Sequence, residues 1–148
     1  METKKVKLED LAPVIEETLA NGGTFEIAIK GTSMLPLLVE GRDSVVLTAV
    51  DGGLEMFDIP LYRRDNGAFV LHRVIGVGDG VYTTCGDNQW VPEQGVKSSQ
   101  LIGRVSVIRR KGREIPVSSR SYRIYCRLWH FLMPVRKYIV KIRGKLKK

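Results

Sequence analysis

Cysteine is scarce in this 148-residue chain, with Cys85 and Cys126 the only two. Two cysteines exclude a disulfide-stapled scaffold. Together with two histidines far apart, at 72 and 130, they offer no ligand spacing for a structural zinc site. A reduced, intracellular compartment is the default expectation. Long apolar runs are missing as well. The best stretch, Ile124 to Ile142, is interrupted by Arg127, His130, Arg136, Lys137 and Lys141, short of the ~20 apolar residues a membrane span needs. The first ten residues are charged and lack the apolar core of a secretory leader. No repeat or low-complexity segment is present. Gly76-x-Gly78-x-Gly80 falls at a strand turn and opens no helix, so it is not a phosphate loop.

Acidic residues are absent from the last thirty positions, and that absence divides the molecule. Ser119 to Lys148 holds ten basic residues and no acid, leaving fourteen basic and all sixteen acidic residues in the first 118. The body is therefore near neutral and the net charge of +8 sits in the tail. A hydrophobic content of 43% and a charged content of 27% fit one ordinary globular domain, long enough to bury a core without metal or disulfide support.

Leu8, Leu11, Ile15 and Leu19 recur at helical spacing, which predicts a short helix over 8–20 ended by Asn21-Gly22-Gly23. Thr24 to Lys30 alternates, with Phe25, Ile27 and Ile29 on one side, and predicts a strand. Further strands are expected at 44–48, 59–63, 68–77, 81–84 and 101–109, with a return strand at 114–117. Asp65-Asn66-Gly67 and Gly78-Asp79-Gly80 supply turns. The body is thus expected to be mainly β, with a helical segment at 1–23, a β domain at 24–118 and a basic amphipathic helix at 119–148. On a helical wheel Tyr125, Leu128, Trp129, Leu132, Val135 and Ile139 share one side, and Arg123, Arg127, His130, Lys137 and Lys141 share the other, with a kink expected at Pro134. Two readings stay open. The helix either packs its apolar face on the body or lies in an anionic membrane surface with Trp129 and Phe131 at the headgroups. No base-stacking or zinc motif supports nucleic-acid binding, and no nucleic-acid partner is expected.

Chemistry concentrates at Gly31-Thr32-Ser33-Met34-Leu35-Pro36, directly after the first strand. A serine in a tight turn after a strand can expose its hydroxyl and keep its own N–H free, as a nucleophile requires. His72, inside an expected strand, is the one histidine of the β body and a candidate proton acceptor. Asp87, in Cys85-Gly86-Asp87-Asn88, is a candidate to orient the imidazole. Cys85 has no activating partner in sequence and reads as a small strand-end residue. His130 reads as solvated on the basic face.

Ser33-Met34-x-Pro36, Gly41-x-Asp43, His72-Arg73-Val74 and Gly86-Asp87-Asn88, in that order, resemble the box set of the signal-peptidase and LexA-like serine peptidases. The resemblance spans roughly residues 27 to 105. With a histidine where many members carry a lysine, the chain resembles the Ser-His type of the endoplasmic-reticulum and archaeal signal peptidases. The resemblance implies a LexA/signal-peptidase-like β fold with Ser33 as nucleophile, His72 as general base and Asp87 as orienting acid. It also implies Gly31 and Thr32 at the oxyanion site, Asp43 and Asn88 as supports, and Met34 and Pro36 beside the substrate. No cofactor or metal is implied. Two departures are visible. A short polar helix stands where such peptidases carry an apolar membrane helix, and Gly31 stands where many carry an oxyanion-binding serine.

The expected function is a serine endopeptidase resembling signal peptidase that cleaves an extended peptide or leader segment. Its partners are a peptide or protein substrate and, through residues 119–148, an anionic membrane. Its expected location is the cytoplasm, peripheral to a membrane. The alternative is a weak or inactive peptidase-like module that binds peptides at the membrane surface. A self-cleaving regulator fits less well, because no DNA-binding helix pair fits before Thr24.

Overall fold

The computed structural model describes residues 8–146. The first helix, α1 (Leu8–Ala20), coincides with the expected span and buries Ala12, Ile15 and Leu19. Its end is turned by Gly22 at φ +82°, where Gly23 N donates to Thr18 O at 2.9 Å. Nine strands follow: β1 (Phe25–Ala28), β2 (Ser44–Thr48), β3 (Pro60–Arg63), β4 (Phe69–Leu71), β5 (Arg73–Val77), β6 (Val81–Cys85), β7 (Glu93–Lys97), β8 (Leu101–Arg110) and β9 (Arg113–Pro116). The chain closes with α2 (Arg120–Phe131), a 3-10 turn at Met133–Val135 and α3 (Arg136–Leu146). The molecule is mainly β, as its composition of alternating segments predicts. Among the described residues no helix is long and apolar enough to cross a membrane.

All pairings are antiparallel. One sheet runs β1-β2-β8-β3-β4, with β9 also on β8, and a second runs β5-β6-β7. The long β8 is the spine, since one half pairs with β3 and the other with β9, while β2 lies along its opposite edge. α1 packs on this spine through Leu19, and Gly103 makes the fit possible. A Cβ there would lie 2.6 Å from Leu19 Cδ1 and 3.0 Å from Thr48 O. The main core, including Ile15, Leu38, Val45, Leu47, Leu61 and Ile108, fills the space beneath. A second cluster around Tyr62, Val74, Tyr82 and Val96 joins the two sheets.

Three expectations change. The single strand expected over 68–77 is two strands in different sheets, and His72 is the corner between them rather than a strand residue. His72, Arg73 and Val74 are buried in succession, which a flat strand with one solvated face cannot do. Strand β7 was not expected, because Glu-Gln-Gly-Val-Lys carries one buried residue, Val96, and no alternation.

The third change concerns the tail. α2 packs on the body, but through Tyr122, Tyr125, Cys126 and Trp129, while Leu128 and Val135 from the expected apolar face are exposed. The body presents a buried ion pair to α2, so the helix turns its polar-tipped side chains inward. His130 is not freely solvated either, since its ring stands edge-on to Phe57 at 5.5 Å.

Candidate active site

The segment after β1 reverses at Gly31 (φ +76°). It is closed by Leu35 N donating to Thr32 O at 3.2 Å and Leu38 N donating to Met34 O at 2.9 Å. Those bonds leave the Ser33 amide out of the turn. Met34, Leu37 and Leu38 are driven into the core, and this anchors Ser33 at the lip of a cleft of about 430 Å³. The cleft is walled by β1 on one side and Phe69 to Leu71 of β4 on the other, with Leu8 and Leu11 of α1 at one end. Those two strands are opposite edges of one sheet, so the sheet curls until its edges face one another.

Ser33 and His72 both line this cleft. They come from different loops, thirty-nine positions apart in sequence. No hydrogen bond joins their side chains among the described residues. His72 is 6% exposed, and its Nδ1 is buried without a partner. Burial, with the nearby Arg64 guanidinium adding to it, lowers its pKa to about 4; Glu93 and Asp87 oppose the shift. The imidazole is therefore neutral at pH 7, with a free acceptor nitrogen but a lower basicity than an exposed histidine.

Asp87 does not orient that imidazole. Arg73 donates from Nε to Oδ1 at 2.8 Å and from Nη2 to Oδ2 at 2.9 Å, and the Tyr125 hydroxyl donates to Oδ2 at 2.9 Å. The carboxylate is fully buried. Burial disfavours the Arg73 charge, but Asp87 outweighs it and the pKa of Arg73 is raised. A buried carboxylate needs such a partner, and the Arg73 guanidinium supplies it. Asp87 is thus a brace for its own loop.

That loop backs the serine. Asn88 N donates to Ser33 O at 2.9 Å, and Asp87 N approaches Met34 Sδ at 3.5 Å. A Cβ on Gly86 would lie 2.6 Å from Ser33 O, so only glycine lets the two segments close. Asn88 also supports from its side chain, accepting from Arg143. Asp43 is a support of another kind. It accepts from Val39 N at 2.8 Å, Lys111 N at 3.1 Å and Arg42, tying the segment after Ser33 to the β8–β9 turn. Burial raises its pKa, but the bonds from Arg42, Val39 and Lys111 outweigh that and leave it lowered. Met34 lines the cleft floor, whereas Pro36 lies outside it. Gly31 and Thr32 are exposed beside Ser33, and nothing stands within 4 Å of where a Gly31 Cβ would be.

Sequence reasoning missed Arg64, Glu93 and Gln89. Arg64 and Gln89 line the main cleft, and all three join His72 in a second one. Arg64 Nη2 donates to Glu93 Oε1 at 2.7 Å, and the Tyr62 hydroxyl donates to the same oxygen at 2.9 Å. Glu93 follows a Trp-Val-Pro stretch with no motif around it, so no local signal marks it. Compared with known proteins, the chain matches no family model and no curated protein.

Proposed function

We propose that this protein is a serine endopeptidase that cleaves an extended peptide laid in the cleft between β1 and β4, on a body akin to the LexA-like and signal peptidases. One observation carries the reading: Ser33 and a buried, neutral His72 reach a single cleft from separate loops. The centre is a Ser-His dyad, because Asp87 is committed to Arg73. Ser33 Oγ attacks the scissile carbonyl while His72 takes its proton, then returns it to the leaving amine. The Ser33 amide, free of the turn's own bonds, is the backbone donor assigned to the developing oxyanion; Gly31 adds no side-chain donor there. A missing donor costs about 3–4 kcal/mol of transition-state stabilisation, so turnover is slow beside a peptidase with a full oxyanion site.

Incubation with a peptide library, read by mass spectrometry, tests this. Ser33→Ala and His72→Ala are each expected to lower kcat/KM about a thousand-fold or more. Unchanged turnover in either variant removes the assignment. A peptide-binding module without catalysis is the second reading, favoured by the missing Ser33–His72 hydrogen bond. A serine-directed phosphonate separates the two: labelling of Ser33 that requires His72 supports the peptidase, and binding of peptide without labelling supports the module.

A further inference from the structure

We propose that the outward face of α2 and α3, extended by the Trp90–Val91 loop, docks on an anionic lipid bilayer. Ile124, Leu128 and Phe131 share one face of α2, Tyr138 and Ile142 share one face of α3, and Val135 lies in the turn between them; all are exposed, Phe131 by 78%. This is a second apolar stripe, distinct from the Tyr122, Tyr125, Cys126 and Trp129 edge that holds the helix to the body. A surface helix with its inner face already packed has no fold-level need for such an outer row.

The stripe is continuous with another exposed apolar patch. Trp90 and Phe131 line one shallow cavity with Met133 and Pro134, and Val91 beside Trp90 is 74% exposed. Charge selects the occupant. Arg120 and Arg127 lie on the same side of α2 as Ile124 and Leu128 by helical spacing, and Lys141 lies beside Tyr138 and Ile142 on α3. The whole segment from 119 onward contains no acid. An apolar row flanked by cations alone complements a surface of acyl chains under anionic headgroups. A second copy of the same row would bring those cations face to face.

The membrane face needs no chemistry at Ser33, so its success or failure is independent of the peptidase reading. Co-sedimentation with vesicles of phosphatidylglycerol and phosphatidylcholine, against phosphatidylcholine alone, tests it on the full chain. Binding is expected to the anionic vesicles, to weaken with salt, and to be the same for Ser33→Ala. Leu128→Asp with Phe131→Asp, both exposed and so compatible with folding checked by circular dichroism, is expected to reduce partitioning about ten-fold or more. Lys141→Glu is expected to reduce it about ten-fold. No binding to anionic vesicles at low salt overturns the proposal, as does binding unchanged by the double aspartate variant. A dimer in sedimentation velocity that this variant abolishes, without lipid binding, assigns the stripe to self-association instead.

Discussion

At the scale of single residues, burial decides the character of His72. Its pKa of about 4 lies below the 6.5 of a free imidazole. Above pH 6.5 both folded and unfolded states are neutral at this site, and it imposes no pH dependence. Between 6.5 and 4 the unfolded chain binds a proton that the folded site refuses. Stability therefore falls as pH falls through that window and levels off below it. The limiting size is about 3 kcal/mol. Urea unfolding of the parent and His72→Gln at pH 7, 5.5 and 4.5 reads this directly. The parent is expected to lose stability relative to the variant as pH drops; parallel pH profiles would mean the imidazole is not held neutral by the fold. Part of this scale was legible, since Ser33 and His72 line one cleft, a pairing that only the resemblance to the peptidase boxes implied. Asp87 was the misreading. A carboxylate at a strand end, even within a matching Gly86-Asp87-Asn88 box, says nothing of which cation buries with it, and here it is Arg73.

Among elements, α2 is the clamp on the loop that backs Ser33. Trp129 Nε1 donates to Asp87 O at 2.8 Å, and Arg136 donates to Trp129 O at 2.6 Å and to Gln89 O at 3.3 Å. Arg73 Nη1 reaches across to the Tyr122 hydroxyl at 2.7 Å and Cys126 Sγ at 2.9 Å. The basic tail is consequently part of the fold. Arg73→Met strips the cation from a buried carboxylate and its helix partners. A loss of about 3–5 kcal/mol is expected, read as a drop in the thermal midpoint, and a surface-like loss below 1 kcal/mol would contradict the clamp. Sequence periodicity located this helix and its break near Pro134 and put Tyr125 and Trp129 on the inward side, but it also put Leu128 and Val135 there, which are exposed, and left out Tyr122 and Cys126. A helical wheel ranks apolarity, whereas the docking site here rewards hydroxyl, thiol and indole groups that can bond to Arg73 and Asp87. Strand β2, with its clean alternation of burial, was legible for the opposite reason: it presents Val45 and Leu47 to a purely apolar core.

Across the whole molecule, the cleft exists because one curled sheet brings its first and last strands to opposite walls. That arrangement leaves backbone groups at each wall unpaired. In β1 the ladder is fixed by Ile27 opposite Val45 and by Ile29 N donating to Asp43 O at 3.1 Å. Antiparallel pairing alternates, so residues 27 and 29 bond inward to β2 and the N–H of Ala28 points to the free edge. Ala28 also lines the cleft and is exposed. A peptide adding as a strand would take its bonds from that edge. Proline at an edge position with an outward N–H leaves the native ladder whole, so Ala28→Pro separates binding from folding. Its thermal midpoint should stay close to the parent's, while KM for a cleaved peptide rises about ten-fold from the lost backbone donor. An unchanged KM in a folded variant would move the substrate off β1, leaving the β4 edge or the second cleft beyond His72 as its path. No single segment of sequence contains this cleft. It appears only when β1 and β4, some forty residues apart, become the two rims of one sheet.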